Sequence, residues 1–254
     1  MFSYKDKTVV ITGGASGIGK SASLAFARQG ASVHVIELNE NNVKDLQASL
    51  HQASLQAAIH YGDVSDQERM VAIMASIGKV DVLVNNAGVS HIGRVTNTST
   101  ADFERLFHVN VKGVYNGMFA VIPLMQKQGG GAILNLCSIA AWVGLSDRFA
   151  YSMTKGAVYA MTISAAKDYL ADKIRVNCIS PARVHTPFVD GFLAKNYPGR
   201  EQEMFEKLSK SQPIGRMAHP DEIATLMVYL CSDEANFITG TDYPIDGGFL
   251  TLNS

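Results

Sequence analysis

Tyr151 and Lys155 lie four residues apart, a spacing that on a helix directs both side chains from one face. A free phenol, with a pKa of about 10, is a poor base at neutral pH. An ammonium group held beside it favours the phenolate, which can accept a hydroxyl proton. The pair is therefore a candidate acid/base for interconverting an alcohol and a ketone.

Two further polar residues could complete this chemistry. Ser138 follows an expected strand, 13 residues before Tyr151, and its hydroxyl can donate to or accept from a substrate oxygen. Asn110 lies in the middle of an expected long fourth helix. A short amide there competes for backbone groups and can open the helix to a water that links Lys155 to solvent.

A glycine-rich turn, Thr-Gly-Gly-Ala-Ser-Gly-Ile-Gly over residues 12–19, forms a second candidate site. Glycine lets the backbone approach a pyrophosphate, and the helix that follows supplies N–H groups and a positive dipole. The spacing is GxxxGxG rather than GxGxxG, but the turn stands where a dinucleotide-binding unit requires one. The residues expected to contact the dinucleotide here are Gly13, Ser16, Gly17, Ile18 and Gly19.

Glu37 ends the expected second strand, 24 residues beyond Gly13. A carboxylate there can accept hydrogen bonds from the adenosine-ribose hydroxyls and would repel a 2′-phosphate. The neighbouring positions of the turn and of the strand end hold no Arg or Lys, although Lys20 is close. The sequence therefore favours NAD over NADP.

Small and polar residues also follow the third and fourth expected strands. Asp63 could meet the adenine edge, and a turn or capping role is its alternative. The sequence Asn-Asn-Ala-Gly over residues 85–88 is too small and polar for packing alone. Ligands of parallel sheets bind beyond the carboxyl ends of the strands. We therefore expect the cofactor to contact Asp63, Val64, Asn86, Ala87 and Gly88.

The positioning elements alternate along the whole chain. Continuous apolar strands separated by helices indicate a parallel sheet covered on both faces. We expect one α/β domain over residues 1–254, a Rossmann fold with a doubly wound sheet of about seven strands. The segment near residues 187–213 departs from this alternation of strands and helices. Its residues are typical of a lid over a substrate pocket, and a plain surface excursion is the alternative. The strands located by pattern lie near 8–11, 33–36, 56–61, 80–84, 132–137 and 174–179.

Composition argues against several other classes of protein. The 254 residues are 47% hydrophobic and 18% charged, as in ordinary globular proteins. With 22 basic and 23 acidic residues, no net field attracts nucleic acid or a membrane. No apolar run reaches the roughly 20 residues of a membrane span, and no secretory pattern is visible, so we expect a cytoplasmic location. We expect no metal site or disulfide, because Cys137, Cys178 and Cys231 lack ligand spacing.

Together these motifs resemble the short-chain dehydrogenase/reductase family over the full length of the chain. The resemblance implies that Tyr151 is the acid/base, and that Lys155 orients the nicotinamide ribose and stabilises the tyrosinate. It also implies that Ser138 polarises the substrate oxygen and that Asn110 holds a relay water. The matching residues are Thr12, Gly13, Gly17, Gly19, Asp63, Asn85–Gly88, Asn110, Ser138, Tyr151, Lys155, Pro181 and Asp246–Gly248.

The same resemblance assigns three residues after the sixth strand to the cofactor. Pro181 lies at the nicotinamide, and Val184 and Thr186 touch its carboxamide end. The family usually has Pro-Gly at this point, whereas Pro181 is followed here by Ala182. The resemblance further implies a homotetramer with the fourth and fifth helices packed between subunits.

The substrate is indicated by charge close to Tyr151. Arg148 precedes it by three residues and could capture a carboxylate in a bidentate way. His91 and Arg183 are further candidates, and a surface or subunit contact is the alternative for each. The sequence Arg-Phe-Ala-Tyr over residues 148–151 most resembles dehydrogenases of small hydroxy acids, of the 3-hydroxybutyrate and 2-keto-3-deoxy-sugar-acid types.

The expected activity is thus NAD-dependent hydride transfer involving a small hydroxy acid or deoxy sugar acid. A neutral sugar or polyol dehydrogenase differs only in what faces Arg148. An NADPH-dependent 3-oxoacyl-carrier-protein-type reductase would want basic residues near Glu37. A non-catalytic NAD-sensing protein would be expected to lack part of the Asn–Ser–Tyr–Lys set.

Overall fold

A seven-stranded parallel sheet organises the chain in the computed structural model, which describes residues 2–252 apart from the side chains of Phe188, Lys195 and Asn196. The strand order is β3-β2-β1-β4-β5-β6-β7, and every pairing is parallel. This is the doubly wound α/β architecture predicted from the sequence. The strands are β1 Thr8–Thr12, β2 Ser32–Glu37, β3 Ala58–Tyr61, β4 Val82–Asn85, β5 Gly131–Leu136, β6 Ile174–Pro181 and β7 Asp242–Ile245.

Helices connect the strands and cover both faces of the sheet. They are α1 Gly17–Arg28, α2 Glu40–Gln52, α3 Gln67–Ile77, α4 Thr100–Leu106, α5 Gly113–Gln128, α6 Phe149–Asp168, α7 Pro187–Asn196, α8 Glu201–Lys210 and α9 Pro220–Cys231. Among the described residues, no helix combines the length and the apolar character needed to cross a bilayer.

The order of the strands reverses between β1 and β4. From β1 the chain proceeds to β2 and β3, and it then returns to pair β4 with the other side of β1. A crevice opens beyond the carboxyl ends of the strands at such a reversal, and ligands bind there. The turn after β1 and the Asn-Asn-Ala-Gly sequence after β4 both lie at this point.

Two hydrophobic clusters hold the helices against the sheet. One contains Phe26 of α1, Leu46 of α2 and Met227 of α9. The other contains Met74 of α3 and Val121 of α5. All five side chains are fully buried. Burial of such a side chain stabilises the fold by about 1.5–3 kcal/mol, so the positions of the strand ends are firmly set.

Helices α1 and α9 pack directly on each other, and Tyr4 contacts both of them. Its hydroxyl donates to the carbonyl of Val228 on α9 at 2.6 Å. Its ring meets Phe26 of α1 edge to face, with 5.0 Å between the centroids. Burial raises the pKa of the Tyr4 phenol far above its ordinary range.

The segment after β6, predicted as an excursion near residues 187–213, folds into two helices, α7 and α8. Pro187 starts α7 at a position where a missing N–H is harmless. In α8, two acidic residues occupy the first turn and two lysines the last, which complements the helix dipole. Whether this segment acts as a substrate lid stays a prediction.

Two histidines make a pH-sensitive contact between β2 and β3. His34 Nδ1 and His60 Nε2 are 2.9 Å apart, and the rings are stacked. Burial lowers the pKa of both imidazoles, with the charge of His60 adding to the effect at His34 and that of Arg69 at His60. The Ser32 hydroxyl lies 3.5 Å from His34. The folded protein therefore binds these protons less readily than the unfolded chain does.

We expect this pair to lower the free energy of unfolding as the pH falls below about 6.5, because the unfolded histidines take up protons first. The contribution is absent at higher pH, where both states are neutral. The double variant His34→Asn/His60→Asn should lose stability less steeply between neutral and mildly acidic pH in urea titrations. His51→Asn, an exposed position at the end of α2, is the matched control. Equal slopes for the double variant and the unaltered protein would contradict the assignment.

Candidate active site

The turn between β1 and α1 follows a path that only glycine accommodates. Gly13 and Gly17 have φ angles of +62° and +49°. A Cβ on Gly19 would overlap the carbonyl oxygen of Gly13 and lie 2.5 Å from the Asn86 side-chain amide. Ser16 makes no side-chain capping hydrogen bond, and the first turn of α1 carries no acidic residue. The N–H groups of this turn are thus suited to a pyrophosphate.

Thr12 and Asn86 tie this turn to the end of β4. The Asn86 amide donates to the carbonyls of Thr12 and Gly13, both at 3.0 Å. The Thr12 hydroxyl accepts from the backbone N–H groups of Asn86 at 3.0 Å and Ala87 at 3.1 Å. The Asn86 side chain therefore shapes the crevice, a role that its position in the sequence did not indicate.

A cleft of about 520 Å³ runs across the switch point. It brings together all the residues expected at the cofactor except Pro181 and Val184, which line the cavity beside it. The expected residues along the cleft are Gly13, Ser16, Gly17, Ile18, Gly19, Glu37, Asp63, Val64, Asn86, Ala87, Gly88, Tyr151, Lys155 and Thr186.

Glu37 is held in a fixed orientation at one end of the cleft. It is 8% exposed, and its Oε1 accepts from the N–H groups of Leu38 at 3.0 Å and Asn39 at 3.1 Å. Among the groups that the structure describes, none is a hydrogen-bond partner of Oε2, so this oxygen can accept from a ribose hydroxyl. Asp63 lines the cleft and also has the turn role that was its predicted alternative, because its Oδ1 accepts from the N–H of Ser65 at 2.8 Å.

Tyr151 and Lys155 lie in the first two turns of α6, as their spacing predicted. The Lys155 Nζ is 5.7 Å from the centroid of the Tyr151 ring and donates to the carbonyl of Leu136 at 2.6 Å. Lys155 is only 5% exposed. Its charge therefore acts on the phenol with little screening by solvent. Ser138 begins a short 3-10 turn beside them, and its Oγ accepts from the N–H of Ala140 at 3.2 Å.

Asn110 lies in a π-helical turn, Phe107–Lys112, which separates α4 from α5. The backbone stays helical through this turn, so the long helix expected from the sequence is present over residues 100–128, and its π-helical turn is centred on the amide expected to open it. Asn110 Oδ1 accepts from the N–H of Val89 at 2.8 Å, and Nδ2 donates to the Val89 carbonyl at 2.9 Å and to Thr154 Oγ1 at 3.1 Å. With the amide so engaged, a relay water would need main-chain groups of the turn.

A second cavity, of about 510 Å³, joins the cleft at Tyr151. Ser138 and Arg148 line it, and its wall also includes Phe192 of α7 and Gln212, which lies two residues beyond the end of α8. Gln212 is only 2% exposed. Sequence reasoning missed it, because a lone glutamine outside any motif gives no signal.

Arg148 reaches this cavity, whereas the His91 imidazole does not. The Arg148 guanidinium donates from Nη1 to the carbonyl of His91 at 3.2 Å, and burial lowers its pKa. The His91 ring instead faces Asp102, with Nδ1 3.6 Å from Oδ1. His91 therefore supports Arg148 through its main chain.

The alanine that replaces the usual family glycine fits its position. Ala182 does not have a positive φ, and its N–H donates to the carbonyl of Ile245 at 3.3 Å. Pro181 ends β6, and Val184 forms a parallel bridge with Ala218. The backbone path past the nicotinamide position therefore needs no glycine.

Cys137, which directly follows β5, and Cys178 of β6 are hydrogen-bonded neighbours, although they are distant in sequence. All three cysteines are buried and free. The hydrogen bond to Cys137, together with burial, raises the pKa of the Cys178 thiol. Cys137 also contributes to the wall of the Tyr151 cavity and donates to the Lys155 carbonyl at 3.2 Å.

The chain is similar to known oxidoreductases over nearly its whole length. The family model described as "Enoyl-(Acyl carrier protein) reductase" matches residues 13–250. The 2-keto-3-deoxy-L-fuconate dehydrogenase of Xanthomonas campestris is 36% identical over 96% of this chain and 80% of its own. The Dehydrogenase/reductase SDR family member 6 of Xenopus laevis is 36% identical over 96% and 97%. L-Sorbose reductase from Gluconobacter frateurii, solved with NADPH and L-sorbose, has a TM-score of 0.93, 29% identity and 99% coverage of both chains.

Proposed function

Because the chain belongs to the short-chain dehydrogenase/reductase family, we propose that it is an NAD(H)-dependent dehydrogenase of a small hydroxy acid or deoxy sugar acid. Members of this family are oxidoreductases that act on alcohols and ketones with a nicotinamide cofactor. The observation that carries the proposal is the position of Tyr151. It stands where a cleft containing Glu37 meets a cavity containing Arg148.

Glu37, Asn86 and Lys155 line the cleft that would hold a nicotinamide cofactor, and that cofactor would supply the hydride acceptor for alcohol oxidation and the hydride donor for ketone reduction. Tyr151 Oη accepts the hydroxyl proton during oxidation and donates it during reduction. The buried Lys155 ammonium stabilises the phenolate between these transfers. The Ser138 hydroxyl hydrogen-bonds the substrate oxygen and holds it near Tyr151.

The proposed preference for NAD rests on the fixed carboxylate of Glu37 rather than on the relatives. L-Sorbose reductase was solved with NADPH, so likeness of fold does not decide the cofactor. A 2′-phosphate placed at Glu37 Oε2 would meet a second negative charge in a partly desolvated site. The ribose hydroxyls of NAD would instead donate to it.

We expect Glu37→Gln to lower the ratio of kcat/KM for NAD to kcat/KM for NADP by about 10- to 100-fold, which is about 1.4–2.8 kcal/mol. Removing the negative charge relieves the repulsion of NADP and weakens the acceptor for NAD. Steady-state kinetics with both cofactors measure the ratio. Glu40→Gln, an exposed position in the first turn of α2, should leave it unchanged. An unchanged ratio in Glu37→Gln would contradict the proposal that Glu37 selects NAD over NADP.

The proposed acid substrate is supported by Arg148 and by the similarity to the 2-keto-3-deoxy-L-fuconate dehydrogenase of Xanthomonas. A neutral sugar or polyol is the second candidate, favoured by the uncharged polar side chains of Ser146 and Gln212 in the cavity and by the L-sorbose bound to the Gluconobacter enzyme. The test is cofactor reduction with NAD and NADP across hydroxy acids, deoxy sugar acids and polyols. Turnover of acids with NAD supports the proposal, and turnover of polyols alone favours the second candidate.

A homotetramer is part of the proposal. Phe107, Tyr115 and Phe119, along the π-helical turn and α5, are 42%, 45% and 49% exposed. Ile163 of α6 is also exposed, whereas Val158 belongs to the core. Light scattering after size exclusion would give the mass of the assembly directly.

A further inference from the structure

Arg183 is a second guanidinium on the wall of the Tyr151 cavity. It follows β6, and its Nε donates to the Ser211 hydroxyl at 3.2 Å. Its backbone N–H donates to Gln212 Oε1 at 3.5 Å. Both partners are uncharged and lie just beyond the end of α8. The positive charge of Arg183 is therefore not neutralised by these contacts.

Arg148 and Arg183 affect each other electrostatically. Burial is the main cause of the lowered pKa of Arg183, and the charge of Arg148 lowers it further. Among the described residues that line the cavity, none is Asp or Glu. Asp147, the acid next to Arg148 in the chain, is bound by Arg94 at 2.9 Å.

Two partly desolvated cations that repel each other favour the arrival of an anion. A carboxylate has two oxygens and can accept from both guanidinium groups at once. The cavity also limits the size of the ligand, since its volume is about 510 Å³ and the reacting carbon must lie close to Tyr151. A short hydroxy acid satisfies both conditions.

We propose that Arg148 and Arg183 bind the same substrate carboxylate between them, so that Arg183 is a specificity-determining residue. This inference rests on the proposed function and extends it, because it names the group that selects acids over alcohols of the same shape. The contacts of Arg183 with Ser211 and Gln212 place the bound carboxylate beside the end of α8.

The test uses 3-hydroxybutyrate and 1,3-butanediol, which differ in a carboxylate against a hydroxymethyl group. Arg183→Gln should lower kcat/KM for 3-hydroxybutyrate by about 10- to 100-fold, mostly through KM, and leave kcat/KM for 1,3-butanediol unchanged. Arg200→Gln is the matched control, since this exposed arginine is paired with Glu203 outside the cavity. Fluorescence titration with NADH checks that each variant is folded.

A double-mutant cycle separates a shared carboxylate from two independent contacts. If Arg148 and Arg183 bind one group, the double glutamine variant loses less than the product of the two single losses. Losses that multiply would overturn the shared contact, and undiminished acid turnover in Arg183→Gln would overturn any contact.

Failure of the proposed function would look different. The unaltered enzyme would then oxidise 1,3-butanediol but no acid in the panel. In that case, inhibition of butanediol oxidation by butyrate tests the arginine pair alone. A weaker inhibition constant in Arg183→Gln supports the paired site, and an unchanged constant rejects it.

Discussion

Replacing Tyr151 with phenylalanine is expected to lower kcat by about 10²- to 10⁴-fold, the range that a positioned general acid or base contributes. The substitution removes one oxygen and keeps the ring that faces Lys155, so neither the packing nor the helix should change. Lys155 and the rest of the cleft remain intact in the variant, so the Kd for NADH should change far less than kcat does. Single-turnover kinetics and fluorescence titration measure the two quantities separately.

Tyr115→Phe is the matched control for that loss. Tyr115 is an exposed phenol on α5, near Phe119, and it does not line either cavity. Its loss should leave kcat unchanged. Near-normal turnover by the Tyr151 variant would remove the phenol from the mechanism.

The second large effect is expected at Gly19, where no side chain has room. Gly19→Ala places a Cβ against the Gly13 carbonyl, and a backbone contact cannot be relieved by rotating a side chain. We expect a loss of about 1–3 kcal/mol in the free energy of unfolding. The turn must also shift, so NADH affinity should fall below detection in the same titration.

Gly191→Ala tests whether any added methyl group would have the same effect. Gly191 lies inside α7, and a Cβ there meets no atom of the described part of the chain within 4 Å. Alanine is the better helix former by about 0.5–1 kcal/mol, so this variant should be at least as stable as the parent. Urea unfolding would measure both changes. If Gly19→Ala kept full stability and NADH binding, the close approach of the turn would be disproved.

The sheet was predictable from the sequence because its central strands, β1, β4, β5 and β6, are buried on both faces and appear in the sequence as continuous apolar runs. Six strands were located to within a few residues. β7 was expected only as part of the count, because Pro244 and Asp242 interrupt the apolar pattern in a strand of four residues. The position of the cleft was also predictable, since glycine and acidic residues after strands have few structural reasons to be there, whereas its occupation by a cofactor stays a prediction.

Contacts made through the fold were not predictable from spacing. The partners of Asn110 are Val89 and Thr154, which come from a loop and from α6. The direction of the His91 ring depends on Asp102, eleven residues further on. The proximity of Arg148 and Arg183 required knowing that the start of α6 and the end of β6 face one cavity. Tertiary packing decides which groups a side chain contacts, and local sequence patterns contain no information about it.

The packing of α1 on α9 has a consequence for biosynthesis. A ribosome adds about 5–20 residues per second, so the cofactor turn and α1 emerge many seconds before the helix that completes their cover. Until α9 is synthesised, Phe26 lacks its core neighbours Met227 and Val228. Part of its apolar surface then stays accessible to other nascent chains and to chaperones. A stalled chain that lacks α9 would contain every residue of the proposed cofactor cleft but could not bury the face of α1 that packs on α9, so we expect cofactor binding to appear only after α9 has folded onto α1.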